Sequence, residues 1–126
     1  MTSEQKGAYG TCQSRTVPDM EIKTITRENF STEVEQAAGP VVVELWAPWC
    51  TYCRRLSPAL DRIAEKYGDA LTIGKINIDE QEELADRLEA EVIPMLLLYR
   101  GGTHGEKLVA PQSQSAVEDW IESQQG

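Results

Sequence analysis

The chain is expected to fold as one α/β domain with a central mixed β-sheet flanked by helices on both faces. Two observations lead there. Short apolar runs of strand length alternate with longer runs whose apolar residues recur at helical spacing, the pattern of βαβ units. A Gly101-Gly102 pair near the end then turns the last core run back into a hairpin, which makes the sheet mixed. With 126 residues and 40% apolar content there is room for a single hydrophobic core.

Residues 1–20 carry Gly, Ser, Thr and Gln without periodicity and read as a flexible N-terminal extension, leaving 21–126 as the domain. Ile22-Lys23-Thr24-Ile25 is β-prone, and Thr26 is placed to cap a helix bearing Phe30, Val34, Ala37 and Ala38. Gly39-Pro40 stops it. Val41 to Trp46 is an almost unbroken apolar run, as expected of a central strand buried on both faces. Leu56, Ala59, Leu60, Ile63, Ala64 and Tyr67 share one face of a helix starting near Cys50, with Pro58 inside it as an expected kink.

Gly68-Asp69 ends that helix, and Leu71 to Ile78 forms the next strand. Asp79 and Glu82 have capping-box spacing for a helix that buries Leu84, Ala85 and Leu88. Met95 to Tyr99 is a third core strand, and an edge strand follows around Lys107-Leu108-Val109. Ser113 or Ser115 caps a last helix that turns Val117, Trp120 and Ile121 inward.

Charge and length narrow the partners. A net charge of −9 without a basic stripe disfavours nucleic acid and anionic membranes, whose phosphates would be repelled. No run reaches the roughly 18–20 apolar residues that cross a bilayer. The first ten residues contain no apolar signal-peptide core, so a cytoplasmic location is expected.

Two of the three cysteines, Cys50 and Cys53, have C-x-x-C spacing where a buried strand hands over to a helix. Free N–H groups and partial positive charge at a helix start stabilise a thiolate, the attacking species in thiol–disulfide exchange. Cys53, one turn on, is placed to resolve a mixed disulfide at Cys50. Zinc sites use the same spacing, but a site of four would have to gather Cys12, Cys50, Cys53 and His104 from a tail, a helix start and a turn. Cys12 otherwise reads as an incidental thiol, His104 as a solvated loop residue, and Trp46 and Trp120 as core.

The segment Trp46-Ala47-Pro48-Trp49-Cys50-Thr51-Tyr52-Cys53-Arg54 resembles the thioredoxin active site, with Thr51-Tyr52 between the cysteines instead of Gly-Pro. Pro58, the run Lys75 to Asp79, and Ile93-Pro94 before a strand extend the likeness over about residues 20–125. The resemblance implies the thioredoxin fold and a protein-disulfide reductase in which Cys50 attacks and Cys53 resolves. It further implies that Glu44 is a buried proton acceptor, although a solvent-facing glutamate on an edge strand is the alternative. Lys75 falls where the family has a lysine near that acid, and Pro94 where it has a cis-proline, the alternative being an ordinary trans turn. Trp49, Thr51, Tyr52, Ile93, Pro94, Gly102 and Ala110 are implied to contact substrate.

By the same resemblance the partners are protein disulfides and a thioredoxin reductase, with a monomeric protein and no cofactor beyond the Cys50–Cys53 couple. Oxidase, isomerase or glutaredoxin-like roles belong to the same class, and a non-catalytic interaction module to a different one. Three departures from the family matter. Tyr52 adds a backbone N–H that proline lacks. If it favours the Cys50 thiolate, the couple lies up to roughly 30–60 mV above thioredoxin's approximate −270 mV. Met95 after the cis-proline and Ala110 for a glycine are expected to add bulk to the substrate-facing surface.

Overall fold

The computed structural model describes residues 22–125; the N-terminal extension 1–20 and Cys12 lie outside the described residues. Six strands form one sheet: β1 (Lys23–Thr24), β2 (Val41–Trp46), β3 (Thr72–Asn77), β4 (Met95–Arg100), β5 (Thr103–His104) and β6 (Leu108–Val109). The order is β1-β3-β2-β4-β5, with β6 also on β4. β1, β3 and β2 run parallel, while β4 is antiparallel to β2, β5 and β6. The sheet is mixed, as the closing hairpin predicts.

Three helices follow the strands: α1 (Thr51–Tyr67), α2 (Glu82–Arg87) and α3 (Gln114–Gln125). Alternation along the strands divides the core between the two faces. Val42, Ile73, Leu96 and Leu98 pack with Leu56, Leu60 and Ile63 of α1 and Val117, Trp120 and Ile121 of α3. On the other face Val41, Val43, Leu45, Ile76 and Leu97 meet Phe30, Val34, Leu84 and Ala85. Pairing with β3 on one side and β4 on the other makes β2 the centre of the molecule, so its C-terminal end is held from both sides.

Local chemistry explains the helix ends. Thr26 and Asn29 bond reciprocally in the turn before the first helical segment, which has Phe30 at its N-cap and no side-chain cap of its own: the Thr26 N–H donates to Asn29 Oδ1 at 2.7 Å, and the Asn29 N–H to Thr26 Oγ1 at 3.4 Å. The turn they start widens over Ser31–Glu35, where the Gln36 N–H reaches back five residues to Ser31. The α1 helix continues through Pro58 and ends at Gly68, whose φ of 53° suits glycine. Ser113 Oγ accepts the Ala116 N–H at 3.2 Å and so opens α3.

Three expectations are corrected. Asp79 does not cap α2, which begins after Gln81 with no side-chain cap; its carboxylate is engaged by Trp49 instead. Met95 adds no bulk to the surface. It is 1% exposed and packs in the core on the α2 side, because the first residue of β4 turns inward there. The single edge strand is in fact two short ones, β5 and β6, paired to opposite ends of β4.

β1 and β3 approach so closely that a Cβ on Gly74 would sit 2.5 Å from Cγ1 of the buried Ile25 side chain. Gly74→Ala is therefore expected to overpack this face and destabilise the fold by about 1–3 kcal/mol. A lowered urea midpoint with an unchanged slope is the expected reading.

Candidate active site

β2 leaves the sheet at Trp46, and a tight turn, with the Cys50 N–H donating to the Ala47 carbonyl at 3.1 Å, delivers the chain into α1. Cys50 is the residue that caps the helix. Its Sγ accepts the Cys53 N–H at 3.1 Å, satisfying one of the free donors of the first turn. The two cysteines are joined as a disulfide, with Cα atoms 5.2 Å apart. Cys50 keeps 8% of its surface exposed while Cys53 keeps 2%, so the first cysteine is the less buried of the two.

Glu44 lies fully buried on the central strand, on the α1 side of the sheet, which excludes the edge-strand alternative. Neither of its carboxylate oxygens accepts a hydrogen bond from any described residue. The nearest cation is Lys75, its direct neighbour on β3, with Nζ 3.8 Å from Oε1. Burial pushes the Glu44 carboxyl up to about 7, and the Lys75 ammonium only partly offsets this.

Lys75 is held back by other groups. Its ammonium donates to Ser57 Oγ at 3.2 Å and lies 5.2 Å from the centre of the Trp46 ring. Trp46, Cys53, Arg54, Ser57, Pro58, Asp61 and Lys75 line an open groove of about 420 Å³, which connects the inner cysteine with solvent.

The Ile93-Pro94 bond is cis, so the trans alternative is corrected, and Ile93 packs against the buried cluster formed by Ala47, Cys50 and Cys53. The Pro94 carbonyl accepts the Ala110 N–H at 2.8 Å, while the Ile93 N–H and carbonyl pair with no other described backbone group. Ala110 has a φ of 47°, the left-handed region that glycine favours. Tyr52 reaches across to this loop, its hydroxyl donating to the Ala110 carbonyl at 3.5 Å. Trp49 is fixed by its indole N–H, which donates to Asp79 Oδ2 at 2.9 Å.

The structure thus brings together Cys50, Cys53, Glu44, Lys75, Trp49, Thr51, Tyr52, Ile93, Pro94 and Ala110. It does not bring Gly102 to them. That glycine lies in the turn beyond Arg100, at the opposite end of β4 from Pro94, where its Cβ position faces the Glu35 carbonyl. His104 is equally remote, its ring against Tyr99 and its Nδ1 beside the Gly105 carbonyl. Among the described residues no three His, Cys, Asp or Glu side chains converge as metal ligands.

Sequence reading missed four participants: Ser57, Asp79, Val92 and Val109. Ser57 had a signal, since it stands four residues after Cys53 and so on the same helix face. Val92 and Val109 join Trp49 and Tyr52 as the large exposed hydrophobic residues of the described chain. Trp49 directly precedes Cys50, Tyr52 stands in the first turn of α1, Val92 lies in the loop before cis-Pro94 and Val109 ends β6 beside Ala110, an apolar rim of the kind that marks a protein-binding site.

The thioredoxin family model matches residues 21–123. A thioredoxin of Rhodospirillum rubrum is 31% identical over 102 residues, covering 81% of this chain and 98% of that protein. One of Alicyclobacillus acidocaldarius subsp. acidocaldarius is 36% identical over 95 residues, covering 75% and 90%. One of Porphyra purpurea is 33% identical over 102 residues, covering 81% and 95%. With its paired cysteines at the head of α1 and this match across nearly the whole fold, the chain belongs to the thioredoxin family and is a thiol–disulfide oxidoreductase.

Proposed function

We propose that the chain is a protein-disulfide reductase that works in a reducing compartment such as the cytoplasm and is recharged by a thioredoxin reductase. The observation that carries this reading is the placement of Cys50 Sγ. Cys50 is the less buried member of the couple, and its Sγ accepts an N–H from the first turn of a 17-residue helix. No helix among the described residues is long and apolar enough to cross a bilayer.

Starting from the dithiol, the Cys50 thiolate attacks one sulfur of a target disulfide. A Cys50–target disulfide forms and the other target sulfur leaves as thiolate. Glu44 then takes the Cys53 proton, and the Cys53 sulfur attacks Cys50 Sγ, releasing the second target thiol. Two electrons pass to the target, and the chain is left as the Cys50–Cys53 disulfide. A carboxyl near 7 suits this proton transfer, since it neither holds nor refuses a proton at neutral pH. Lys75 stabilises the carboxylate once it is formed. The unpartnered Ile93 backbone and the apolar rim support docking of an extended target chain beside Pro94.

Tyr52 and Cys53 are the second and third residues of α1, the two positions whose N–H groups can reach a capping side chain. Cys53 makes that bond here, and Tyr52 offers a second donor where proline would have none. The Cys53 bond is the one the disulfide form makes; a Tyr52 bond gained by the reduced sulfur would favour the thiolate and therefore the reduced form. The couple is accordingly proposed to lie up to roughly 30–60 mV above the approximate −270 mV of thioredoxin.

Reduction of insulin disulfides with dithiothreitol tests the activity. Cys50→Ser is expected to abolish turnover, and Cys53→Ser to accumulate protein–substrate mixed disulfides; undiminished turnover by Cys50→Ser would remove that cysteine from its role. Equilibration with glutathione gives the potential, and a value at or below about −270 mV would refute the proposed shift.

The carboxyl of Glu44 also makes a pH prediction. In the unfolded chain it ionises near its ordinary 4.5, whereas in the fold it keeps its proton to about 7. Across that window the folded state holds the extra proton, so stability falls as pH rises, by up to about 3 kcal/mol. In the disulfide form, Glu44→Gln should lose this descent and exceed the parent protein in stability above pH 7. Ser57→Ala, by releasing Lys75 towards Glu44, should move the descent to lower pH. A parent profile that is flat between pH 4.5 and 7 would contradict both expectations.

A further inference from the structure

A second groove, of about 450 Å³, opens on the side of the site away from Lys75. Its walls are Tyr52, Arg55, Leu56, Ala59 and Arg62 of α1, facing the segment from Pro111 to Gln114 at the start of α3. It begins at Tyr52, whose hydroxyl touches the Ala110 carbonyl beside Pro94, so it is continuous with the surface around Cys50.

The charge inside it is opposite to that of the molecule. The chain carries a net −9, yet no carboxylate lines this groove and two guanidinium groups do. Arg55 and Arg62 are exposed, and neither forms an ion pair with any described residue. Arg62 is also oriented, because its Nε–H donates to Gln114 Oε1 at 2.7 Å. The amide of Gln114 is fixed in turn by donating to Glu118 Oε2 at 2.8 Å. The terminal N–H groups of the guanidinium are thereby left for a ligand, in the fork geometry that suits a carboxylate.

Helix geometry sets the reach. Arg55 and Arg62 stand four and eleven residues beyond Thr51, roughly 6 Å and 16 Å along the axis at about 1.5 Å per residue. An extended peptide advances roughly 3.3 Å per residue, so these distances correspond to about two and five positions.

We propose that this groove is a carboxylate-binding subsite, and that the protein disulfides reduced by this chain carry acidic side chains about two to five residues from the target cysteine. The proposal rests on the reductase reading above and adds the substrate class to it. Arg55 and Arg62 are specificity-determining residues: they hold the target segment against Tyr52 while Cys50 attacks, and they take no part in the exchange.

The probe is a set of short peptides whose single cysteine is a mixed disulfide with thionitrobenzoate. They are flanked at those positions on both sides by Glu, Gln or Lys. The Cys50 thiolate bonds to the peptide sulfur, thionitrobenzoate leaves as a coloured thiolate, and Cys53 then displaces the peptide thiol. At low ionic strength the Glu peptide is expected to react about fivefold faster than the Gln peptide, the scale of exposed ion pairs. In the Arg55→Gln/Arg62→Gln variant the ratio should fall to about one. Reversing both charges, Arg55→Glu/Arg62→Glu, should put the Lys peptide ahead, a gain that a misfolded variant cannot produce. Equal rates for Glu and Gln peptides in the parent protein would overturn the proposal, as would a ratio unaltered in the Gln variant. Arginine dependence confined to glutathione–thionitrobenzoate would overturn it in favour of a small-molecule thiol. Failure to release colour from every peptide would instead refute the reductase reading on which the proposal stands.

Discussion

The hydrogen bond from the Cys53 N–H to Cys50 Sγ is the contact on which the site depends. It exists because Cys50 caps α1, and Cys50 caps α1 because β2 ends at Trp46, held by β3 and β4 on either side. A helix start offers donors and partial positive charge to whatever atom occupies the cap. Here that atom is sulfur, and the group favoured is a thiolate. Packing of Leu56, Leu60 and Ile63 under the helix keeps the cap in place while the disulfide opens and closes.

Beneath this lies a conflict that the fold tolerates. A fully buried carboxyl without a hydrogen-bond donor opposes stability whenever it is charged. Lys75 would relieve Glu44 by closing on it, but Ser57 and the Trp46 ring hold the ammonium 3.8 Å away. The consequence is a group that exchanges its proton near neutrality, within the layer that also contains the inner cysteine. Stability, and the proton transfer proposed for Glu44, are therefore set by one arrangement of three side chains.

Much of this was legible in the chain. Val41 to Trp46 and Met95 to Tyr99 gave strands within a residue of those observed, because a long apolar run has few other uses. Cys50, Cys53, Glu44 and Pro94 were found through spacing and resemblance. What failed was orientation. Met95 reads as outward-facing from the sequence but packs inward, since the face a strand residue takes depends on register that neighbouring letters do not encode. Asp79 had capping-box spacing, but its carboxylate is taken by a tryptophan 30 residues away. Gly102 matched a glycine by order along the chain, yet the length of β4 separates it from the site. Arg55 and Arg62 carried a helical spacing of seven, but their common groove needs α3, which arrives only with tertiary packing.

The central claim is that the first turn of α1 makes Cys50 the nucleophile. The most direct measurement is the pH dependence of alkylation in the reduced protein, with the modified cysteine identified by peptide mapping. Cys50 should react first and titrate well below the roughly 8.5 of a free cysteine, with Cys53 unreactive until higher pH. A Cys50 that titrates at or above that value, or a Cys53 that reacts ahead of it, would contradict the account.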